Sequence, residues 1–204
     1  MAKDNFKIRL ATKTDLEEIT KLHSASFNPE DHVPFMLGWR YIKATYRWLV
    51  MSKKAYTLVA TIENKIIGLV SVCDDSYAIP MFIACLPEFI ISLILNPGLL
   101  VKRKLWARLL RRSIITKTGR NIDKQKGFAQ MVIGAVASGY RGQGIFPSLV
   151  EATKLFSLER GSRAIRAGIY KTNSSSCKVF IKGGWEICPE LETNDTVYYV
   201  TYLE

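Results

Sequence analysis

Alternating apolar and polar residues predict a series of short strands along the chain. Residues 6–12 alternate apolar with basic side chains, which is typical of a strand with one buried face. Residues 55–73 contain two β-rich runs around the turn Glu63-Asn64-Lys65, which predicts a hairpin. The remaining predicted strands are 128–136, 163–170, 185–190 and 196–204.

Helical periodicity appears between these strands. Residues 12–27 follow an apolar stripe, with Thr14 as a predicted N-cap and Glu17 completing a capping box. Residues 34–52 predict a second amphipathic helix, whose many aromatic side chains we expect mostly in the core or in a cleft wall. Two later helices are predicted over 147–161 and 171–184.

The regular pattern breaks over residues 78–113, which are apolar at first and basic later. The apolar part approaches the length of a transmembrane helix, but Pro80, Pro87 and Glu88 interrupt it. We predict a loop and short helix from about residue 87, a turn at Asn96, and an amphipathic helix over 99–113. A helical insertion that packs on the core or forms a lid is favoured over a surface that lies on anionic lipid.

The length and composition indicate one globular domain. The 204 residues are 48% hydrophobic and 23% charged, which suffices for a sizeable core. We therefore expect a single domain over 1–204 with a helical, basic insertion at about 76–125. The predicted order of elements indicates a mixed α/β sheet flanked by helices.

The net charge of +11 comes largely from one segment. Residues 101–126 hold ten Lys or Arg and one Asp, so the rest of the chain is nearly neutral and nucleic acid is not the expected partner. The four cysteines are widely spaced and only two histidines occur, so neither a disulfide framework nor a metal site is expected. With no visible secretory signal, we expect a cytoplasmic protein.

The stretch SGYRGQGIF, residues 138–146, lies between a predicted strand and a predicted helix. Glycines at 142 and 144 allow the backbone to approach a ligand closely, and N–H groups at a helix N-terminus bind anions. Arg141 adds a cation. The spacing fits neither a P-loop nor a dinucleotide-binding turn, so a pyrophosphate cradle and an ordinary turn both remain open.

Two motifs resemble the GNAT superfamily of acyl-CoA-dependent N-acyltransferases. The first, within VIGAVASGYRGQGIFPSLVEA, matches the family pattern Arg/Gln-x-x-Gly-x-Gly/Ala at Arg141 and Gly144 and departs from it at Phe146. The second, NSSSCKVFIKGGW, places Asn173, Ser176, Phe180, Gly184 and Trp185 at the corresponding family positions. The resemblance covers the chain except about residues 75–125.

The resemblance implies a central mixed, mostly antiparallel sheet of about seven strands, flanked by helices and splayed at the fourth strand. It implies acetyl-CoA as co-substrate, with no metal. Val136 would donate its N–H to the thioester carbonyl. The residues expected to bind acetyl-CoA are Gly134, Ala135, Val136, Arg141, Gly142, Gln143, Gly144, Ile145, Phe146 and Asn173.

Two positions depart from the family in ways that affect proton transfer. Many members use a tyrosine to protonate the leaving thiolate, where this chain has Phe180, and some use a carboxylate as base, where it has Gly168. Tyr170 is the candidate catalytic substitute, because it would lie on the same strand face as Gly168; an ordinary packed or cross-strand tyrosine is the favoured interpretation of the residue by itself. Other candidates at the cleft mouth are Asp74, Asp75 and Glu88, the last being also well placed for the first turn of a helix after Pro87.

These features together predict an acetyltransferase that acts on a primary amine by direct attack in a ternary complex. A small acceptor, by preference an amino sugar or nucleotide amino sugar, would lie between the aromatic helix and the insertion. The alternatives are a protein or peptide amine as acceptor, a catalytically weak acyl-CoA-binding regulatory module, and a nucleic-acid or membrane-surface binder acting through residues 102–126. We expect a monomer or homodimer.

Overall fold

A computed structural model describes residues 6–27, 33–74, 77–103, 105–107 and 127–204. Its strands are β1 (Lys7–Leu10), β2 (Ala55–Ile62), β3 (Lys65–Asp74), β4 (Phe128–Val136), β5 (Ala164–Tyr170), β6 (Glu186–Ile187) and β7 (Thr196–Tyr202). Its helices are α1 (Leu16–Ser26), α2 (Val33–Leu37), α3 (Trp39–Met51), α4 (Ala78–Leu95), α5 (Ile145–Glu159) and α6 (Ser174–Lys182).

The seven strands form one sheet in the order β1-β2-β3-β4-β5-β7-β6. All neighbours are antiparallel except β4 and β5, which run parallel. The mixed, mostly antiparallel sheet of about seven strands is therefore confirmed.

Helices cover both faces of this sheet. One apolar cluster, which includes Leu149, Phe180 and Tyr199, packs α5 and α6 against one face. A second, which includes Ile19, Tyr46 and Leu69, packs α1 and α3 against the other. Because both faces are covered, β2 and β3 are buried along nearly their whole length and read as apolar runs.

The first helix begins with a different cap from the predicted one. Thr12, not Thr14, precedes a 3-10 turn at Lys13–Asp15, and the Asp15 carboxylate accepts hydrogen bonds from the Thr12 backbone N–H at 2.7 Å and from its hydroxyl at 3.0 Å. Arg9 also pairs with Asp15 at 2.7 Å. The Arg9 hydrogen bond is the main reason why the pKa of Asp15 is lowered to about 2.

The predicted second helix is two helices. Gly38 has φ +90°, a backbone conformation that favours glycine and breaks the path between α2 and α3.

The predicted helix boundary near residue 87 was wrong. α4 begins at Ala78 and continues through Pro87. Pro80 lies in the first turn, where its missing N–H costs little, and Pro87 is exposed on the outer side of the helix. The helix does end at Leu95, before the predicted turn at Asn96. Most of the amphipathic helix predicted over 99–113 lies outside the described residues.

Candidate active site

The sheet opens between β4 and β5, as predicted. The parallel pairing runs from Phe128 opposite Ala164 to Met131 opposite Ala167, whereas β4 stays paired with β3 as far as Val136. The register between β3 and β4 shifts near Val132, which gives β4 one extra residue just where the two parallel strands separate. The result is a gap between the last residues of β4 and β5, which we call the splay.

Backbone polar groups of β4 face this splay. The N–H of Ala137 donates to the carbonyl of Ile67 at 2.9 Å, and therefore points toward β3. Because successive strand residues direct their N–H and C=O groups to opposite edges, Gly134 and Val136 direct theirs toward β5. Strand β5 is not paired with β4 at this level in the described sheet.

The glycine loop follows directly and ends in helix α5. Gly142 and Gly144 have φ of +77° and +82°, and Gly144 is the N-cap residue. A Cβ at either glycine would meet no atom within 4 Å, so the positive φ rather than crowding requires glycine here. The open side of the turn leaves room for a ligand. Within the described chain, the N–H groups of residues 142–146 donate no backbone hydrogen bond.

Two side chains hold the loop against the end of β4. Nε of Arg141 donates to the Val136 carbonyl at 3.1 Å, and Nε2 of Gln143 donates to the Gly139 carbonyl at 3.1 Å. Arg141 therefore braces the end of β4 at the splay. The predicted cationic role of Arg141 toward a phosphate stays a prediction.

The first turn of α5 lies close to the sheet. A Cβ on Gly68 would be 3.0 Å from Ile145 Cγ2 and 3.1 Å from Leu149 Cδ1, so the absence of a side chain on β3 lets α5 approach. Ile145 itself is buried. Because Gly68 is opposite Val136, this docking places the helix N-terminus, which is the positive end of the helix dipole, beside the end of β4.

Phe146, the departure in the first motif, packs beside Gly134. A Cβ on Gly134 would lie 2.7 Å from Phe146 Cε2, so the ring occupies the side-chain space that the strand leaves empty. Its ring also meets the Phe180 ring edge to face, with centroids 6.2 Å apart. The aromatic side chain therefore covers one face of β4.

Phe180, the departure in the second motif, is fully buried. It stacks on the Tyr199 ring with centroids 5.4 Å apart, and it meets the Trp185 ring in an edge-to-face arrangement with centroids 4.9 Å apart. Burial, with a smaller contribution from contact with Cys177, raises the pKa of Tyr199 to about 12, so this phenol holds its proton at neutral pH. The position where many family members carry a proton donor is here part of an aromatic cluster.

A tyrosine lies beside Gly168, the position where some family members carry a carboxylate. Gly168 is opposite Tyr198 in the β5–β7 register, and a Cβ on Gly168 would be 2.8 Å from Tyr198 Cε1 and 3.2 Å from Cζ. The phenol carbon that carries the hydroxyl thus lies beside the root of the absent carboxylate. Sequence reasoning missed Tyr198. Tyr170 ends β5 on the same face and is 52% exposed.

The two described carboxylates among those proposed for the cleft mouth are Asp74 and Glu88. Asp74 ends β3 opposite Ala129, at the closed end of the sheet, and pairs with Arg160. Glu88 lies in the middle of α4 rather than in a first turn, so its predicted placement was wrong. It borders a groove of about 310 Å³ between α3 and α4. Asp75 lies outside the described residues.

Asn173 caps helix α6. Its side-chain oxygen accepts a hydrogen bond from the Ser176 N–H at 3.1 Å, which fixes the start of the helix. Contact between Asn173 and a cofactor stays a prediction. Between α5 and α6 runs a groove of about 510 Å³, which begins at Pro147 and Ser148 beside the glycine loop and is bordered by Lys178 and Lys182.

Part of the space predicted for the acceptor, between the aromatic helix and the insertion, is filled by direct packing of α3 on α4, beside the groove that Glu88 borders. Tyr41 of α3 meets Phe89 of α4 at a centroid distance of 6.3 Å, and Thr45 contacts Cys85. Apolar side chains near the open end of β4 instead line the face that carries Gly168 and Tyr198: Phe27, Phe35, Met81 and Ala135 belong to one cluster there.

Comparison of the whole fold with solved structures gives consistent matches. The GNAT domain of S. lividans PAT aligns with a TM-score of 0.62 at 16% identity, over 97% of this chain and 90% of that one. PaiA N-acetyltransferase from Thermoplasma acidophilum, solved in complex with coenzyme A, aligns with a TM-score of 0.62 at 10% identity, over 98% of this chain and 99% of that one. The chain has the GNAT fold.

Another GNAT-fold match is the ribosomal-protein-S18-alanine N-acetyltransferase from Escherichia coli, with a TM-score of 0.59 at 10% identity over 98% of this chain and 94% of that one. No protein-family model matches the sequence, and no curated protein matches it significantly. Among the described residues, no group of three or more His, Cys, Asp or Glu side chains is placed to hold a metal ion.

Proposed function

We propose that this GNAT-fold chain is an N-acetyltransferase that transfers an acetyl group from acetyl-CoA to a primary amine by direct attack in a ternary complex. The observation that carries the proposal is the continuity of two sets of backbone N–H groups. Those of Gly134 and Val136 face the splay, and those of residues 142–146 begin where the splay ends. An extended ligand with a thioester at one end and a pyrophosphate further along matches that order.

The residues present fit such a ligand. A pyrophosphate needs several converging donors, and the α5 N-terminus supplies N–H groups, the positive end of a helix dipole and an open approach above Gly142 and Gly144. Lys178 and Lys182, in the groove that leads away from the loop, would attract a further phosphate. Acetyl-CoA supplies the activated acetyl group and a thiolate that leaves readily.

The chain itself provides three functions in this reaction. The Val136 N–H would donate to the thioester carbonyl oxygen, and so stabilise the negative charge that develops during attack. Arg141 holds the Val136 carbonyl, which fixes the peptide unit between Val136 and Ala137, next to the unit that carries the Val136 N–H. Phe146 and Phe180 close one face of the splay and exclude water from it.

Proton transfer would use a phenol on the opposite face. Tyr198 is the stronger candidate, because its ring lies beside Gly168. Tyr170, the candidate from the sequence, is at the end of the same strand face and remains the alternative. We assign this phenol the role of orienting the amine and passing its proton to water.

A small acceptor remains our preference, and an amino sugar or nucleotide amino sugar suits the positively charged insertion, because a phosphorylated acceptor would be attracted to it. The E. coli protein mentioned above acts on a ribosomal-protein alanine by its name, so a protein amine is the main competing acceptor.

One observation favours a second function. Neither Phe180 nor Gly168 carries a titratable group, and Phe180 is locked in an aromatic cluster. An acyl-CoA-binding module that regulates rather than catalyses needs neither group. It would share the loop and splay with the enzyme and differ only in turnover.

A thiol-release assay with acetyl-CoA separates the two functions. Amino sugars, nucleotide amino sugars, polyamines and peptides with free N-termini serve as acceptors, and coenzyme A binding is measured on the same preparation. Release of free thiol that depends on one class of amine supports the acetyltransferase and names the acceptor class. Binding without release on the whole panel favours the regulatory module.

A further inference from the structure

Helix α4 exposes an unusual amount of apolar surface. Its 18 residues have a mean hydropathy of 2.2, and only 17% of them are buried. Among the described residues it is the one helix long and apolar enough to cross a membrane. Its single charged residue is Glu88.

The helix has two distinct faces despite its uniform composition. Cys85, Phe89 and Ser92 are buried against the domain, where Phe89 meets Tyr41 of α3 and the Trp106 ring. The outward side carries an apolar stripe at helical spacing: Ile79, Phe82, Ile83, Leu86, Ile90 and Ile94 are all exposed. Leu95, at the end of the helix, is exposed as well. Because one face packs on α3, the helix lies along the domain instead of leaving it.

The apolar stripe continues past the end of the helix. Leu100 is 54% exposed and Val101 is 81% exposed, just after the 3-10 turn Pro97–Leu99. A contiguous apolar surface of this extent is rare on a soluble monomer and marks an interaction site. We call the stripe together with Leu100 and Val101 the α4 face.

Positive charge borders the α4 face. Lys102 and Arg103 follow it directly and are exposed. Arg47 of the neighbouring helix α3 is exposed and lines the groove with Ala84 and Glu88 of α4, and Trp39 and Arg40 are exposed at the start of α3. The sequence from 101 to 126 carries ten basic residues and one acidic residue. Apolar surface bordered by cations and an aromatic residue matches a bilayer surface, where acyl chains lie beneath anionic headgroups.

We propose that the α4 face docks on an anionic lipid surface and holds the domain there as a peripheral membrane protein. The apolar stripe enters the boundary between headgroups and acyl chains, and the flanking Lys and Arg residues bind the headgroups. A second copy of the chain would cover the stripe equally well, but the basic residues that border the two stripes would then lie close together and repel each other.

Vesicle co-sedimentation tests the proposal with the full chain. Wild type is mixed with vesicles of phosphatidylcholine alone and with vesicles that also contain phosphatidylglycerol, at low and high NaCl. The double variant Ile83→Glu, Ile90→Glu alters the α4 face, and Leu155→Glu with Ile187→Glu makes the same change at exposed positions on α5 and β6. Coenzyme A binding and far-UV circular dichroism confirm that each variant is folded.

We expect wild type and the control variant to bind the anionic vesicles and to bind neutral vesicles less. High salt should weaken their binding to the anionic vesicles. The α4-face variant should bind the anionic vesicles at least about tenfold more weakly than wild type, because it lacks two large apolar side chains that are removed from water on binding. The proposal is overturned if wild type stays in the supernatant, if it binds neutral and anionic vesicles equally, or if the α4-face variant binds as wild type does. It is equally overturned if light scattering shows a wild-type dimer that the variant converts to a monomer.

Discussion

The ring of Phe146 occupies the space that a side chain at Gly134 would need, since a Cβ there would lie 2.7 Å from Phe146 Cε2. A bulky residue at the start of α5 and a glycine in β4 are therefore complementary. The pair explains how a phenylalanine is accommodated where the family has a small residue: its ring lies over one face of β4.

Gly134→Ala should therefore destabilise the protein through Phe146. Overpacking of this kind costs about 1–3 kcal/mol of unfolding free energy. In a Phe146→Ala background the same substitution should cost much less, because the clashing ring is gone. Urea denaturation of the four proteins measures the coupling, and Gly139→Ala is the control, because a Cβ there meets nothing within 4 Å. An equal cost in both backgrounds would show that the two residues are not coupled.

Gly144→Ala should weaken acetyl-CoA binding about tenfold, because a left-handed conformation costs an alanine about 1–2 kcal/mol and the loop relieves this strain by turning its N–H groups. Gly161→Ala is a matched control, since Gly161 has φ +80° and no atom within 4 Å of a Cβ, but lies after the far end of α5. Gly161→Ala should lose a similar amount of stability and keep its affinity for acetyl-CoA. Isothermal calorimetry measures the acetyl-CoA affinity of both variants. Equal affinity losses in the two variants would count against a loop site.

Tyr198→Phe should lower kcat by about 100-fold and leave acetyl-CoA affinity unchanged, because it removes only the hydroxyl beside Gly168. The rate is measured against pH, since loss of a proton-transfer group also changes the profile, whereas loss of a packing contact does not. Tyr202→Phe on the same strand is the control, being 64% exposed. If Tyr170→Phe lowers kcat and Tyr198→Phe does not, the assignment made from the sequence is the right one.

His23 should make the protein less stable in mild acid. It is fully buried, its Nδ1 lies 2.8 Å from the Tyr46 hydroxyl, and burial lowers its pKa to about 4. The unfolded chain, with a pKa near 6.5, binds the proton first, so stability is full above pH 6.5 and falls until about pH 4, by on the order of 3 kcal/mol. Asp15 contributes only below this window, because its pKa falls from 3.8 to about 2.

Chemical denaturation between pH 7 and about pH 4.5 measures this effect. His23→Gln keeps an amide for Tyr46 and carries no titratable group, so its stability should stay nearly constant over the window. The comparison concerns the slope with pH, so a lower overall stability of the variant does not affect it. Parallel slopes for the two proteins would refute the role of His23.

Local patterns predicted much of this structure. The hairpin over 55–74 and strand β4 were predicted to within a residue, because long β-rich runs bounded by turn residues leave few alternatives. The loop was found because its positive-φ glycines and the helix that follows are a local signal. The start of α4 is predicted wrongly because Pro80 and Pro87 indicate helix breaks, although a proline in a first turn or on an exposed face is tolerated.

Relations across strands could not be read from the sequence. Tyr198 meets Gly168 only because β7 pairs with β5 in one particular register, and β6 lies beyond β7 at the sheet edge. Phe146 and Gly134 are likewise joined by the docking of α5 on the sheet. The exposed α4 face was also hidden, because an apolar run has the same composition whether it is buried or exposed.

The measurement that tests the central claim most directly is a calorimetric titration of the wild-type chain with acetyl-CoA, in parallel with 3′-dephospho-acetyl-CoA. We predict one site per chain with a Kd between about 1 μM and 1 mM, the usual range for enzyme substrates, and a weaker but measurable interaction with the analogue that lacks a phosphate. Absence of binding to both ligands throughout that range would contradict the assignment of the splay and the glycine loop to acetyl-CoA.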